Sequence, residues 1–418
     1  MNFFSPTTFA VAFALVLIQA LAALPWLWVL DPKQFAARAK SASGWLTMIG
    51  IVAVAAVVFT AFMIYRADAG KLEIDGRIYA SILHLQLAID LILFAQGALL
   101  KFWPKGGTVA WAAFREGYRQ PMFWLISGLV ILALFISMVI PYFTLGEDFR
   151  MMKHLSFDMI KLSAVLFAVL AAGMSVSEEI EGRTAVTLMS KPVTRRQFLL
   201  GKYIGILLAA LAMTLLLGWV QNWVLYFKPH FERLEDSWDP LSRDVQSLVT
   251  PYFTSLTSKL TEWGWAVAEP TSLLRGVGLW AGETLANAGG LALGFGQVMV
   301  MLAVAVSLAT RMSMIVSVIL CLIFFMLGNL APVLADVSER LRAKQGGATV
   351  LVNFFAQLMD KILPSLNFFN SDHIVMRETY LPPAEFAGYV GSVFVYALLY
   401  ALMALLVGLF LIEDRDLA

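Results

Sequence analysis

Charge is scarce in this chain, and so is cysteine. Only 14% of the 418 residues are charged against 60% hydrophobic, and the mean hydropathy is +0.78. That balance excludes a water-soluble domain of this length and leaves a polytopic membrane protein. The single cysteine, Cys321, lies inside an apolar run, so an internal disulfide and cysteine-based metal motifs are both excluded. A net charge of +1 without a basic tail gives no argument for nucleic acid. The four histidines (84, 154, 230 and 373) are scattered, and no HExxH, Ser/His/Asp set or pair of catalytic carboxylates accompanies them, which speaks against an intramembrane enzyme or a metal site. A G-x-x-x-x-G-K-[ST] phosphate loop is missing too. Leu200-Gly201-Lys202-Tyr203 has the glycine and lysine but neither the upstream glycine nor the hydroxyl that would hold magnesium.

What the chain does have is long apolar runs, at about 9–30, 45–65, 80–100, 122–143, 156–177, 198–226, 285–310, 313–335 and 386–412. They are continuous and not alternating, so the fold expected is all-α, a helical membrane protein of about nine transmembrane helices. No basic residue precedes the first run, which reads as a retained span and not a signal peptide. Lys and Arg gather in the connections 31–44, 101–121 and 178–202, and these alternate with the poorer 66–79 and 144–155. With the basic set inside, the N-terminus is outside, the C-terminus inside, and the long connections 227–284 and 336–385 lie outside. Within the latter, 242–263 and 351–362 carry apolar residues at i, i+3, i+4 spacing and read as amphipathic helices forming a small outer lid.

The most ordered charged stretch is SVSEEIEGRTAVTLMSKPVTRRQFLLGKYIG, Ser175 to Gly205. Ser175 with Glu178 fits a capping box opening a short helix on which Ile180, Thr184 and Leu188 share a face, and Pro192 ends it. Thr194 with Gln197 makes a second capping box leading into the next span. Acids come first and bases last, as the helix macrodipole favours. Ahead of the fourth span, Trp111, Phe114, Arg115, Tyr118 and Arg119 mix rings and bases as an interfacial helix would, before Pro121 turns the chain into the membrane.

Other polar positions are candidates for a path or a relay. Asp90, near the middle of the third span with His84 and Gln86, is expensive enough in lipid to expect a partner or a role in proton or cation transfer. Glu283, Asn287, Gln297 and Asn329 could line a polar path or make interhelical hydrogen bonds. Asp158 and Lys161 are spaced to neutralise each other, and Gly290-x-x-x-Gly294 permits close helix approach, within the chain or at a dimer seam.

On these residues the chain resembles the type-two ABC exporter permeases. EEIEGRTAVTLMSKPVTRRQFLLGKYIG (178–205) is similar to their coupling helix and the helix after it, AAFREGYRQPMFW (112–124) to their N-terminal elbow, and KILPSLNFFN (361–370) to the segment before their last span. Within the family the composition and outer connection are most similar to permeases grouped with copper-enzyme maturation and gliding motility. The resemblance implies a six-span permease domain at 106–418 behind a three-span extension at 1–105, in a bacterial cytoplasmic (inner) membrane. It also implies that ATP and magnesium bind a separate cytoplasmic nucleotide-binding ATPase subunit, with no cofactor in this chain, and that a second permease copy or homologue completes the pair. Glu178, Glu179, Glu181, Arg183, Thr184 and Leu188 would dock the ATPase. Two alternatives stay open, a membrane anchor that recruits an ATPase for an outer-face partner and an ion-coupled carrier using Asp90.

Overall fold

The structure is a computed structural model that describes residues 6–66, 68–140, 148–181, 193–231, 268–341, 363–371 and 383–413, together with 255, 258, 259 and 354. Among the described residues twelve α-helices follow in order: α1 (Pro6–Leu30), α2 (Pro32–Ala39), α3 (Ala42–Arg66), α4 (Ala69–Phe102), α5 (Pro104–Arg119), α6 (Pro121–Val139), α7 (Asp148–Ala172), α8 (Glu178–Glu181), α9 (Arg195–Phe231), α10 (Ala268–Ala309), α11 (Met314–Leu341) and α12 (Pro383–Glu413). A π-helical turn, Gly173–Ser177, joins α7 to α8, and a 3₁₀ turn, Leu366–Phe369, precedes α12. No strand occurs among the described residues, and the chain is an all-α, multi-pass membrane protein. By length and composition eight of the described helices can cross a membrane; the run expected at 313–335 falls on α11, whose apolar part, Met314–Leu330, is shorter.

Local chemistry sets the helix starts. Asp31 accepts from the Gln34 N–H at 3.0 Å ahead of Pro32, and Asp68 accepts from the Gly70 and Lys71 N–H groups at 3.0 and 3.2 Å, so each carboxylate satisfies donors that the first turn leaves open. Pro104 and Pro121 occupy first-turn positions where a missing N–H costs nothing. Helix α2 is an addition to the expected elements, although its Asp-Pro start is plain in the sequence.

Burial ranks the spans. The most apolar windows of α7, α9 and α10 are 67%, 61% and 78% buried, whereas that of α3 is 22% buried and leaves Leu46, Val54 and Val58 exposed as a lipid-facing surface.

Close contacts divide the chain into two compact units, Met1–Ala95 with Arg233–Asn287 and Gln96–Glu232 with Ala288–Ala418, with boundaries inside α4 and α10. In unit 1, Ala12, Leu15, Ala56, Met63, Leu72 and Leu273 form a buried core. Helices α1 and α4 run parallel and are joined by three polar rungs: Tyr79 Oη to the Leu15 carbonyl at 2.7 Å, Gln19 to Gln86, and Trp26 Nε1 to Asp90 Oδ1 at 2.7 Å. Helix α4 crosses the start of α10 at two facing glycines. A Cβ on Gly76 would meet the Leu273 carbonyl, and one on Gly276 the Glu73 carbonyl, so only hydrogen at both positions permits this approach. The crossing explains why α10 begins at Ala268 when its span was expected from 285: Leu273, Leu279 and Trp280 are buried there, and Thr284 and Trp280 lie against His84.

In unit 2, α5 lies along α9 through Gly201 and Gly205, against Val109 and the Ala110 carbonyl, and through Gly117 against Ala209. Leu134, Met138, Phe149, Met152, Val220, Val224 and Leu225 pack α6, α7 and α9 together. Gly290 and Gly294 face Phe157 and Lys161 of α7 in the same chain, so this small-residue seam is filled internally. Lys161 Nζ pairs with Asp158 at 2.7 Å, as their spacing suggested, and donates to Asn370 at 2.8 Å.

The helix start expected at Ser175 is not there. Helix α7 continues through the π turn into α8, and Ser175 is buried and spends its hydroxyl on tertiary contacts instead of capping. Residues 182–192, with Pro192, lie outside the described residues, as does nearly all of 242–263 and 351–362.

Candidate functional site

One end of unit 2 gathers a cluster of charged side chains, and the start of α9 organises it. Thr194 Oγ1 accepts from the Gln197 N–H at 3.2 Å while Gln197 Oε1 accepts from the Thr194 N–H at 3.1 Å, the reciprocal capping box read from the sequence. Arg195 and Arg196 are thereby presented to the last turn of α12. Arg195 Nη1 donates to the Ile412 and Glu413 carbonyls at 3.0 and 2.9 Å, and Arg196 pairs with the Glu413 carboxylate at 2.8 Å. From the turn between α10 and α11, Arg311 Nε adds a bond to the Leu411 carbonyl at 3.0 Å. Two guanidiniums, those of Arg195 and Arg311, thus meet carbonyls of the last turn at the negative end of the helix dipole, and the third, Arg196, pairs with the Glu413 carboxylate beside them.

The end of α7 is anchored to the same place. Ser177 Oγ donates to the Met312 carbonyl at 3.2 Å, and Gly173 lies against Met314. Beside it is a buried lysine. Lys202 is 4% exposed, and its Nζ donates to Glu179 Oε1 at 2.7 Å, Ser175 Oγ at 2.8 Å and Glu116 Oε2 at 3.2 Å. Ser175 Oγ in turn donates to Glu116 at 3.2 Å. One ammonium therefore joins α5, the π turn, α8 and α9, with its three protons directed at three acceptors.

The residues singled out from the sequence fall in unlike places. Glu178 is exposed, whereas Glu179 is half-buried on Lys202. The side chain of Glu181, and Arg183, Thr184 and Leu188, lie outside the described residues. On α5, Phe114 is buried, Trp111 and Tyr118 are half-buried, and Arg115 and Arg119 are exposed with their guanidiniums 5.7 and 5.9 Å from the Trp111 and Tyr118 ring centres. Asp90 is held by Trp26. Glu283 and Asn287 are brought together at 3.3 Å, Asn329 donates to the Phe325 carbonyl of its own helix at 2.9 Å, and Gln297 is fully buried with no partner for its amide among the described residues.

Sequence reasoning missed Lys202 as a hub, along with Glu116 and Ser175. A signal was available: Lys202 is a lone charge between Leu199 and Ile206, inside an apolar run, where a lysine needs acceptors.

A family model described as ABC-2 family transporter protein matches residues 107–417, from within α5 to beyond the end of α12. No curated protein matches the chain. The spans and the sequence match agree, and the chain belongs to the ABC-2 transporter family as a membrane-spanning permease subunit of an ABC transporter.

Proposed function

We propose that the chain is the membrane subunit of an ATP-driven exporter in a bacterial cytoplasmic membrane, paired with a second copy or a similar permease. Residues 178–192 dock a separate nucleotide-binding subunit, which holds the ATP and magnesium, and act as the lever through which its closure alternates access between the two halves. The supporting observation is the base of that segment. The described residues on both sides of 182–192 are anchored, on one side through Glu179 on Lys202 and on the other through Arg195 and Arg196 on α12. A partner pushing on a loop with loose ends would only deform it; on this base the push reaches the spans. Exposed Glu178, with Glu181, Arg183, Thr184 and Leu188, supplies the docking surface, and Trp111, Tyr118, Arg115 and Arg119 seat α5 at the lipid headgroups.

A second reading, the anchor that recruits an ATPase without transport, is favoured by the way Asn287 and Asn329 donate within their own helices. Against it stands Gln297, whose buried, unpartnered amide suits a path. The bond from Trp26 supports a packing role for Asp90 and not a relay.

The test is affinity purification of the tagged chain from its native membranes in mild detergent, with mass spectrometry of what accompanies it. A soluble subunit with a Walker A loop is expected, and its recovery should drop at least about tenfold with Glu178→Lys and Glu181→Lys together, since two charged contacts are reversed. Glu179 is left intact because replacing it breaks the Lys202 contact. A chain that purifies without an ATPase in several detergents would contradict the reading.

A further inference from the structure

Lys202 is more than a buried charge with partners. A buried ion pair is weak as a source of stability, because an apolar side chain of the same size would cost no desolvation. What this one supplies is geometry. Its three protons reach three acceptors on different elements: Glu116 near the end of the interfacial helix α5, Ser175 in the π turn, and Glu179 in α8, at the start of the segment that docks the ATPase. The Ser175 to Glu116 bond closes the set into a ring of α5, the π turn and α9.

The π turn gives the ring something to act on. A π turn holds one residue more than an α turn, is intrinsically less favourable, and so needs tertiary contacts to persist. Both hydroxyls inside it are tied down, Ser175 to Lys202 and Glu116, and Ser177 to the Met312 carbonyl. Helix α5 itself has no covalent reason to follow α8, being 59 residues upstream at the Glu116 to Ser175 bond.

We propose that Lys202 is a positioning residue of the transport stroke, which makes α5 and α8 move as one body so that displacement of residues 182–192 reaches the interfacial helix as well as the spans. This rests on the docking role given to that segment under Proposed function. Lys202 touches neither substrate nor nucleotide; it acts through Glu116, Ser175 and Glu179.

The experiment is hydrogen exchange by mass spectrometry on the purified complex with its ATPase, without nucleotide and with ATP and vanadate. In the wild type, nucleotide should change exchange in 104–119 and in 175–181 together. With Lys202→Met, 175–181 should still respond while the response of 104–119 is lost, and exchange of 175–181 without nucleotide should quicken about tenfold or more, as expected when a charged hydrogen bond goes. Lys202→Arg, which keeps charge and donors, should restore the response of 104–119. Glu116→Gln leaves Lys202 on Glu179 and should weaken only the 104–119 response, so it decides the matter if Lys202→Met fails to fold. A Lys202→Met complex whose 104–119 region responds as in the wild type would overturn the proposal, and so would a loss that Lys202→Arg does not restore. If no ATPase accompanies the wild-type chain, the docking reading falls and this proposal with it; if the ATPase is present and 104–119 is indifferent to Lys202, only this proposal falls.

Discussion

Asp90 illustrates what one residue can and cannot announce. A carboxylate in a span is conspicuous in the sequence, but the bond that accommodates it comes from Trp26, 64 positions away, and no local pattern links the two. Gln19 with Gln86 and Tyr79 with the Leu15 carbonyl repeat the same offset of about 64 to 67 residues, so Asp90 is the third rung of a ladder between parallel helices. Asp90→Asn keeps an acceptor for the indole N–H and should leave thermal stability in detergent unchanged, while Asp90→Ala should cost about 0.6–2 kcal/mol, the range of interhelical hydrogen bonds in membranes. Thermal unfolding followed by size-exclusion chromatography checks both. An Asn variant that is fully stable but transports nothing would return Asp90 to the role of a proton relay. Glu179 teaches the opposite lesson. It stands among charged neighbours that all look solvated in the sequence, yet it turns inward to Lys202, because a lysine buried by its own helix needs the charge more than water does.

Elements were legible where local chemistry decides them. The apolar runs located the spans, and Thr194 with Gln197 fixed the start of α9, since a capping box needs only residues three apart. Asp31-Pro32 announced α2 just as clearly, though hydropathy alone passed over so short a helix. The π turn was not legible: Ser175 and Glu178 satisfy a capping box on paper, and contacts with Lys202 and Met312 decide otherwise. Helix α10 was half legible. At 42 residues it is about 63 Å long, twice the hydrocarbon thickness, and only its second half carries an uninterrupted apolar run. Its first half is fixed by the glycine crossing with α4. Gly276→Leu should therefore cost at least about 1–3 kcal/mol by forcing that crossing apart. Gly388→Ala on α12, where an added Cβ meets nothing within 4 Å, should be neutral or stabilising by up to about 1 kcal/mol. Paired melting curves compare the two, and equal tolerance would mean that the α4–α10 approach is not as close as the structure has it.

For the whole molecule, the family match begins at 107, yet the compact unit that contains the first three spans also takes in Arg233–Asn287 from inside the matched region. Leu273, Gly276 and Trp280 of the matched region thus pack with helices that precede the match. Hydropathy reads each run separately and carries no information about which runs share a core. The proposed docking rests on residues 178–192, held at their base by Glu179, Arg195 and Arg196. The most direct measurement is photo-crosslinking in native membranes from benzoylphenylalanine placed at position 178, with the same probe at position 410 on the exposed, apolar face of α12 as the lipid-facing control. A protein adduct carrying a Walker A subunit from 178, and none from 410, is the expected result. An absence of any protein adduct at 178, or adducts with this chain alone, would contradict the docking of an ATPase at this end of the permease.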